Sequence, residues 1–425
     1  MHLGPYPDLD GYDRAVTLDS AEPLTAYRER FVVEEPDLIY LDGNSLGRLP
    51  RSAAEQVAEA VQEQWGRRLI RSWNDSWWDL QLEIGDMLAP ILGAAPGQVL
   101  ISDSTTVNLY KLARAAMRLR PGRSKVLSDD LNFPGDVYVL ESAATDEASG
   151  SVRLIPSDGV HGPFEDLVAA LDDDVALVSV SATAFKSGYT YDFAALADAV
   201  HAVGALLLLD LSHAVGVVDQ SLDETGVDLA VGCTYKYLNG GPGAPAFLYV
   251  RHELQESLGN PIQGWFAHAD PFSFDLGFRP TNGVRRYHVG TMPVLSLVGC
   301  RAGIEMVAEV GVEAMRRASL SLTTFAEELF DDVLAPRGFE FASPRDPARR
   351  GSHLSIAHDR AWQLTQALTN EAEVVPDFRA PRHLRWGFAP LYTTHVEIHT
   401  AVHRLARIVD DEQWRAYPES ADGVT

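Results

Sequence analysis

The apolar run at residues 205–209, closed by Asp210, constrains this chain more than any other feature. It is too short for an independent helix and shows no polar alternation. It therefore reads as a strand buried on both faces of a parallel sheet. A second apolar strand at 229–233 ends in Thr234-Tyr235-Lys236-Tyr237. A glycine-rich turn follows at 239–243, and a third strand at 246–250. Open parallel α/β sheets gather their ligand contacts at the carboxyl ends of their strands. Asp210 and Lys236 stand at two successive ends of that kind.

A lysine and an aspartate so placed suit pyridoxal 5′-phosphate (PLP). The amine would form a Schiff base with the aldehyde. The carboxylate would pair with the pyridinium nitrogen and keep it protonated. The plain alternative is a turn-capping Asp210 and a solvated Lys236. The flanking residues favour the cofactor, because the glycines let backbone approach a bound group closely and Tyr235 offers an acid beside the lysine.

The chain has 425 residues, enough for two domains with substantial cores. The βα alternation over 99–250 predicts the α/β class with a mainly parallel sheet. The organisation read here is an N-terminal arm and helix over 1–70, a large PLP-binding domain over 71–300 and a smaller α+β domain over 301–425. Within the arm one short helix is expected near 21–31, and the tail after about Tyr417 reads as frayed. The N-terminus lacks the basic and apolar regions of a signal peptide, so none is expected. No apolar run approaches the ~20 residues that a membrane span needs. The charge of −25, from 35 basic and 60 acidic residues, argues against a nucleic-acid partner. Cys233 and Cys300 form neither a CxxC nor a metal spacing, so no metal is expected and a reducing cytoplasm fits.

Four further stretches carry candidate chemistry. In Asp103-Ser104-Thr105-Thr106, hydroxyls and backbone N–H groups open a helix and form a ready anion site. Plain N-capping by Ser104 or Thr105 is the blander reading. Asn132-Phe133-Pro134-Gly135-Asp136 opens another helix and is otherwise a capped turn. Trp65, Trp73, Trp77 and Trp78 crowd one segment, where core or interface leads over an aromatic substrate wall. Arg385 lies between apolar neighbours in a probable strand. A guanidinium there suits bidentate capture of a carboxylate, against the plainer reading of a strand-surface arginine.

The strings YLDGNSLG (40–47), DSTTVNLYK (103–111), DLSHAVGVVD (210–219), DLAVGCTYKYLNGGPGAPAFLYV (228–250) and RWGFAPLY (385–392) closely resemble kynureninases. These are PLP enzymes of the aspartate-aminotransferase fold, fold type I, and the resemblance runs from about residue 40 to 392. It implies that Lys236 carries the cofactor, and Tyr235, by its position beside that lysine, is the candidate proton relay. It implies that Thr105 and Thr106 hold the phosphate, with the Trp265 indole N–H as a further donor. It places Phe133 on the pyridine ring, and Asp136, Ser181, Asp210 and His213 around the cofactor. Thr291 would reach over from a partner subunit. Arg385, with Asn44 and Ser45, would bind the substrate carboxylate. The implied reaction is hydrolysis of L-kynurenine or 3-hydroxy-L-kynurenine to (3-hydroxy)anthranilate and L-alanine, by a homodimer with a shared active site.

Two positions depart from the family pattern. Ala184 stands where an Asn or His is common, so a polar contact is missing or supplied by Thr183. Met292 replaces a usual Pro. They leave open a substituted kynurenine as substrate. Another fold-type-I activity, such as a desulfurase or aminotransferase, is a second alternative. A desulfurase needs a reactive loop cysteine, which neither Cys233 nor Cys300 supplies. A PLP-binding subunit without catalysis is a third, and the intact Lys236, Asp210, Tyr235 and Arg385 argue against it.

Overall fold

In the computed structural model, residues 6–7, 9–145 and 150–419 are described. Their strands, in chain order, are Ile39–Tyr40 (β1), Val99–Ile101 (β2), Lys125–Asp129 (β3), Ser151–Ile155 (β4), Val175–Ser181 (β5), Leu206–Asp210 (β6), Leu229–Gly232 (β7), Phe247–Val250 (β8), Glu340–Phe341 (β9), His353–Ala357 (β10), Val374–Val375 (β11), Asp377–Arg379 (β12) and His383–Gly387 (β13). Seven form one sheet in the order β2-β8-β7-β6-β5-β3-β4. Only β8 runs against its neighbours, β2 and β7.

The sheet is organised around β6, whose five residues are all buried. Each fully buried leucine there contributes roughly 1.5–3 kcal/mol. Helices Thr105–Leu119, Pro134–Thr145, Phe164–Ala169 and Phe193–Ala202 make crossovers between strands of this sheet. Two apolar cores cover its faces. Asp129, Ser181 and Asp210 are the last residues of β3, β5 and β6. The strand ends therefore bring together side chains from across the sequence.

A third core lies under a four-stranded antiparallel sheet, β12-β13-β10-β9, with helices Val312–Leu329, Ala361–Glu371 and His395–Asp410. Helix His395–Asp410 opens with a reciprocal cap between Thr394 and Glu397. Strand β1 pairs in parallel with β11, which ties the N-terminal segment to the C-terminal part of the chain. Residues 300 and 301 both fall inside helix Val294–Val310.

The short helix expected in the arm near 21–31 is present as a 3₁₀ helix, Pro23–Arg30, and an α-helix that was not expected, Tyr12–Ala21, precedes it. Pro23 can open a helix but cannot continue one, because it lacks the N–H. The helix of the 1–70 segment is α-helical through Arg51–Glu59 and then widens to a π-helix, Ala60–Arg68. Part of the tail expected to be frayed, residues 420–425, lies outside the described residues. Among the described residues no helix is long and apolar enough to cross a membrane.

Candidate active site

Lys236 follows β7 and is partly buried. Its Nζ lies 3.0 Å from His213 Nε2. Burial, then the positive charges of Lys236 and Arg385, drive the His213 pKa well below the usual histidine range. His213 is therefore neutral, and its Nε2 accepts from the lysine. The ring of His353, from β10, lies 5.3 Å from that of His213. It too is kept neutral, by burial and then by Arg385.

Asp210 accepts a hydrogen bond from Ser212 N at 2.8 Å. Asp136 faces it. Burial first, and then the like charge of Asp210, raise the Asp136 carboxyl well above the usual range. Two carboxyls this close in a buried site resist ionising together. Asp136 Oδ2 and His213 Nδ1 are both buried without a hydrogen-bond partner. Ser181 Oγ donates to Asn132 Oδ1 at 2.7 Å, and that same oxygen accepts from Phe133 N at 2.9 Å. Ser181 thereby fixes the turn that presents Phe133, which is half-exposed and edge-on to Phe185 at 5.4 Å.

A cavity of about 590 Å³ opens at the start of helix Thr105–Leu119. Ser104, Thr105, Thr106, Tyr235, Gly243 and Thr291 are among its lining residues. Ser104 caps the helix, accepting from Val107 N at 3.4 Å. The nearby Cys233 sulfur, followed by burial, raises the Tyr235 pKa, so its hydroxyl stays a donor. Thr291, expected to arrive from a partner subunit, lines the cavity of its own chain. Trp265 does not. It lines a separate cavity of about 540 Å³ with Gln263, His268 and Phe274.

Arg385 is only 1% exposed. Its Nη1 donates to Phe185 O at 2.6 Å and its Nη2 to Ser45 Oγ at 2.8 Å, and it forms an ion pair with Asp377, its cross-strand partner. With the Asn44 amide oriented to satisfy its neighbours, the Asn44 oxygen accepts from Arg385 Nε at 2.9 Å. A guanidinium has five N–H donors, so these four partners leave one Nη1 hydrogen. Arg379 shares Asp377 at 2.8 Å. Asp42 lies 3.9 Å from Arg385. Burial and Asp377 push its carboxyl up to about 6 against the pull of the Ser45 hydroxyl and both arginines. Gly47 N donates to Tyr235 O at 2.8 Å and holds this N-terminal turn against the lysine strand. A Cβ at Gly47 would collide with the Lys236 carbonyl.

Eleven of the sequence-predicted residues fall into three neighbouring groups, while Ser181 and Phe133 belong to the Asn132 turn and Trp265 to the separate cavity. Lys236, His213, Asp210 and Asp136 meet at the strand ends. Thr105, Thr106, Tyr235 and Thr291 line the cavity at the start of helix Thr105–Leu119. Arg385, Asn44 and Ser45 form the guanidinium cluster. Thr183 Oγ1 is engaged by Thr190 Oγ1 at 2.9 Å, beside the buried Ala184. The sequence reading missed Asp42, Asp377, Arg379 and His353 as members of the site. Asp42 lay inside a quoted motif and could have been weighed. The other three carry no local signal. Among the described residues no group of three or more His, Cys, Asp or Glu is placed to hold a metal ion.

A mainly parallel seven-stranded sheet with one reversed strand, and a second smaller sheet beside it, is the architecture of fold-type-I PLP-dependent enzymes. The cysteine desulfurase of Thermococcus onnurineus NA1 superposes with a TM-score of 0.72 at 18% identity, covering 88% of this chain and 95% of its own. The cysteine desulfurase CsdA of Escherichia coli gives 0.74 at 19%, covering 91% and 98%. At such identities the likeness is one of fold. Sequence carries the relation further. The kynureninase of Pseudomonas fluorescens is 39% identical over 405 residues, covering 94% of this chain and 95% of that protein. That of Burkholderia pseudomallei strain K96243 is 39% identical over 415 residues, covering 96% and 98%. A family model for the kynureninase C-terminal domain matches residues 315–405. The chain belongs to the kynureninase family.

Proposed function

We propose that this chain is a PLP-dependent hydrolase that cleaves the Cβ–Cγ bond of L-kynurenine, of its 3-hydroxy form, or of both. The products are anthranilate or 3-hydroxyanthranilate and L-alanine. The observation that carries the proposal is the meeting of Lys236, His213, Asp210 and Asp136 in a chain with kynureninase relatives along nearly its full length.

The residues fit the cofactor. PLP needs an amine for its aldehyde, a carboxylate for its pyridine nitrogen, donors for a phosphate dianion and an apolar face for its ring. Lys236, Asp210, Thr105 with Thr106, and Phe133 meet those needs. The partnerless Asp136 Oδ2 and His213 Nδ1 are the buried polar atoms that a polar ligand would satisfy. Bound PLP supplies an electron sink for charge developing on the substrate. Lys236 Nζ, supported by neutral His213, exchanges the proton at the substrate Cα. The Asp136 carboxyl, held well above the usual range by burial and by Asp210, faces Asp210 at the cofactor's ring nitrogen. The Tyr235 hydroxyl relays a proton at the lysine side of the site. Arg385, Ser45 and Asn44 orient the substrate carboxylate and so fix which bond is aligned.

Anthranilate fluorescence with the PLP-loaded protein and L-kynurenine, beside the 3-hydroxy substrate, tests the assignment. Turnover of either supports it and ranks the ring preference. A loaded protein that turns over neither sinks it. The buried Ala184, with Thr183 already engaged, favours a substituted kynurenine as the next substrate to try. Both cysteines are free and buried. Burial raises the Cys233 thiol and pushes the Cys300 thiol up to about 12, so neither suits a desulfurase nucleophile. Two unbridged thiols also fit the cytoplasm.

The Asp42 carboxyl sets a pH dependence. Arg385, Arg379 and Asp377 sum to +1, and ionised Asp42 brings the cluster to 0. A carboxylate substrate is therefore held better below about pH 6. KM is expected to rise severalfold between pH 5 and 7.5 in steady-state assays, and Asp42→Asn to flatten that rise. The same carboxyl acts on stability. Its pKa is raised in the folded state, so the folded chain binds the proton more tightly than the unfolded chain. Its contribution is greatest below its unfolded value of about 4 and falls as pH rises through about 6.

We also propose a homodimer. Trp265, Phe272, Phe274 and Leu276 are exposed in one segment, the kind of apolar surface that a second copy covers. Covering would give the Trp265 indole N–H a polar partner. Sedimentation equilibrium should return twice the chain mass of 46.5 kDa.

A further inference from the structure

Asp103 is an acid on the wall of a cavity built for an anion. It lines that cavity beside Ser104, Thr105 and Thr106. Its backbone sits at φ +49°, in the left-handed region, so the turn is specified rather than relaxed. Its Oδ2 accepts from Ser102 Oγ at 2.7 Å and from Lys111 Nζ at 2.7 Å. Lys111 lies two turns further along the same helix and is 0% exposed. Burying an ammonium is costly unless it is paired and hydrogen-bonded. Lys111 has one more bond, to Tyr287 O at 2.9 Å. Tyr287 leads into Val289–Met292, which lines the same cavity. His288, between them, is held down to about 3 by burial, Arg285 and Lys111, so it adds no cation.

We propose that Lys111 is a positioning and charge-compensating residue for the phosphate site. It cancels the Asp103 charge on the cavity wall and ties the helix start to the opposite loop. The proposal rests on reading this cavity as the phosphate cradle. It predicts effects of opposite sign for the two partners. Lys111→Met leaves a carboxylate facing the incoming dianion. Asp103→Asn removes that charge and keeps acceptors for both Ser102 and Lys111.

The measurement is the ratio of the dissociation constants of pyridoxal and PLP, from fluorescence titration of the apo chain. The ratio isolates the phosphate and cancels effects at Lys236. Lys111→Met is expected to lower it about tenfold, and Asp103→Asn to raise it severalfold. The double variant should return it towards the unsubstituted value. Two single variants that lower the ratio alike, as damaged folding would, overturn the proposal, and so do two that leave it unchanged. If Lys111→Met does not fold, Asp103→Asn decides alone: a raised ratio supports the proposal, and an equal or lower one overturns it. A ratio near one in the unsubstituted chain, with no competition from inorganic phosphate, overturns the cradle reading itself.

Discussion

Replacing Lys236 by alanine is expected to lower turnover of L-kynurenine by at least about 10³-fold, in line with the loss of a group that is both nucleophile and proton carrier. The chain has only four lysines, and the other three are committed elsewhere. Lys111 is buried in its pair with Asp103. Lys125 opens β3, at the end of the sheet away from the site, and pairs with Asp172 at 2.6 Å. Lys186 donates to Ala380 O at 3.2 Å and is hydrogen-bonded at the surface. Only Lys236 meets a neutral imidazole beside a carboxyl pair. The variant should keep its thermal midpoint within a few degrees, because among the described residues Lys236 forms no salt bridge and its one side-chain hydrogen bond is to a neutral imidazole. It should also lose the visible absorption band of lysine-bound PLP. Retained turnover with the band intact would move the cofactor to another lysine and undo the assignment of the whole strand-end cluster.

How much of this was legible beforehand divides along a physical line. The sheet strands read at 205–209, 229–233 and 246–250 announced themselves because a strand buried on both faces must be apolar throughout. The Thr105 helix start was legible because caps and N-terminal hydroxyls are local chemistry. Helix Tyr12–Ala21 was not read, because its amphipathic pattern is weak and only Ala15 is buried. Helix His395–Asp410, which fills the small core, lay beyond the last motif and was not read. Within the site, Lys236 and Asp210 could be named from two strand ends. The raised Asp136 carboxyl could not, since it depends on burial in the fold and then on a carboxyl 74 residues away in sequence. His353 reaches His213 only because the small sheet packs against the large one. The charge balance at Arg385 likewise depends on Asp42, Asp377 and Arg379, which converge through β1, β12 and β13.

That convergence makes Asp377 the most consequential structural residue of the site. Asp377→Ala is expected to destabilise the fold by up to about 3–5 kcal/mol, because buried Arg385 would lose its nearest countercharge and keep only the Asp42 carboxyl, 3.9 Å away. Ser45, Asn44 and the Phe185 carbonyl would still accept its hydrogen bonds, yet none of them is charged. Arg379, partly exposed, can turn to water and adds little to the loss. Replacing both partners, as Arg385→Met with Asp377→Leu, removes the stranded charge and should restore most of the stability, to within about 1–2 kcal/mol. Urea midpoints for the single and double variants measure this. Substrate affinity should behave differently. If Arg385 holds the α-carboxylate, the double variant keeps a raised KM despite its recovered fold. A double variant that regains both stability and KM would assign Arg385 to structure alone and pass the carboxylate to Arg379. Stability and KM therefore separate the two uses of one guanidinium: its four protein partners hold the sheet to the N-terminal turn, and its remaining Nη1 hydrogen is left for the ligand.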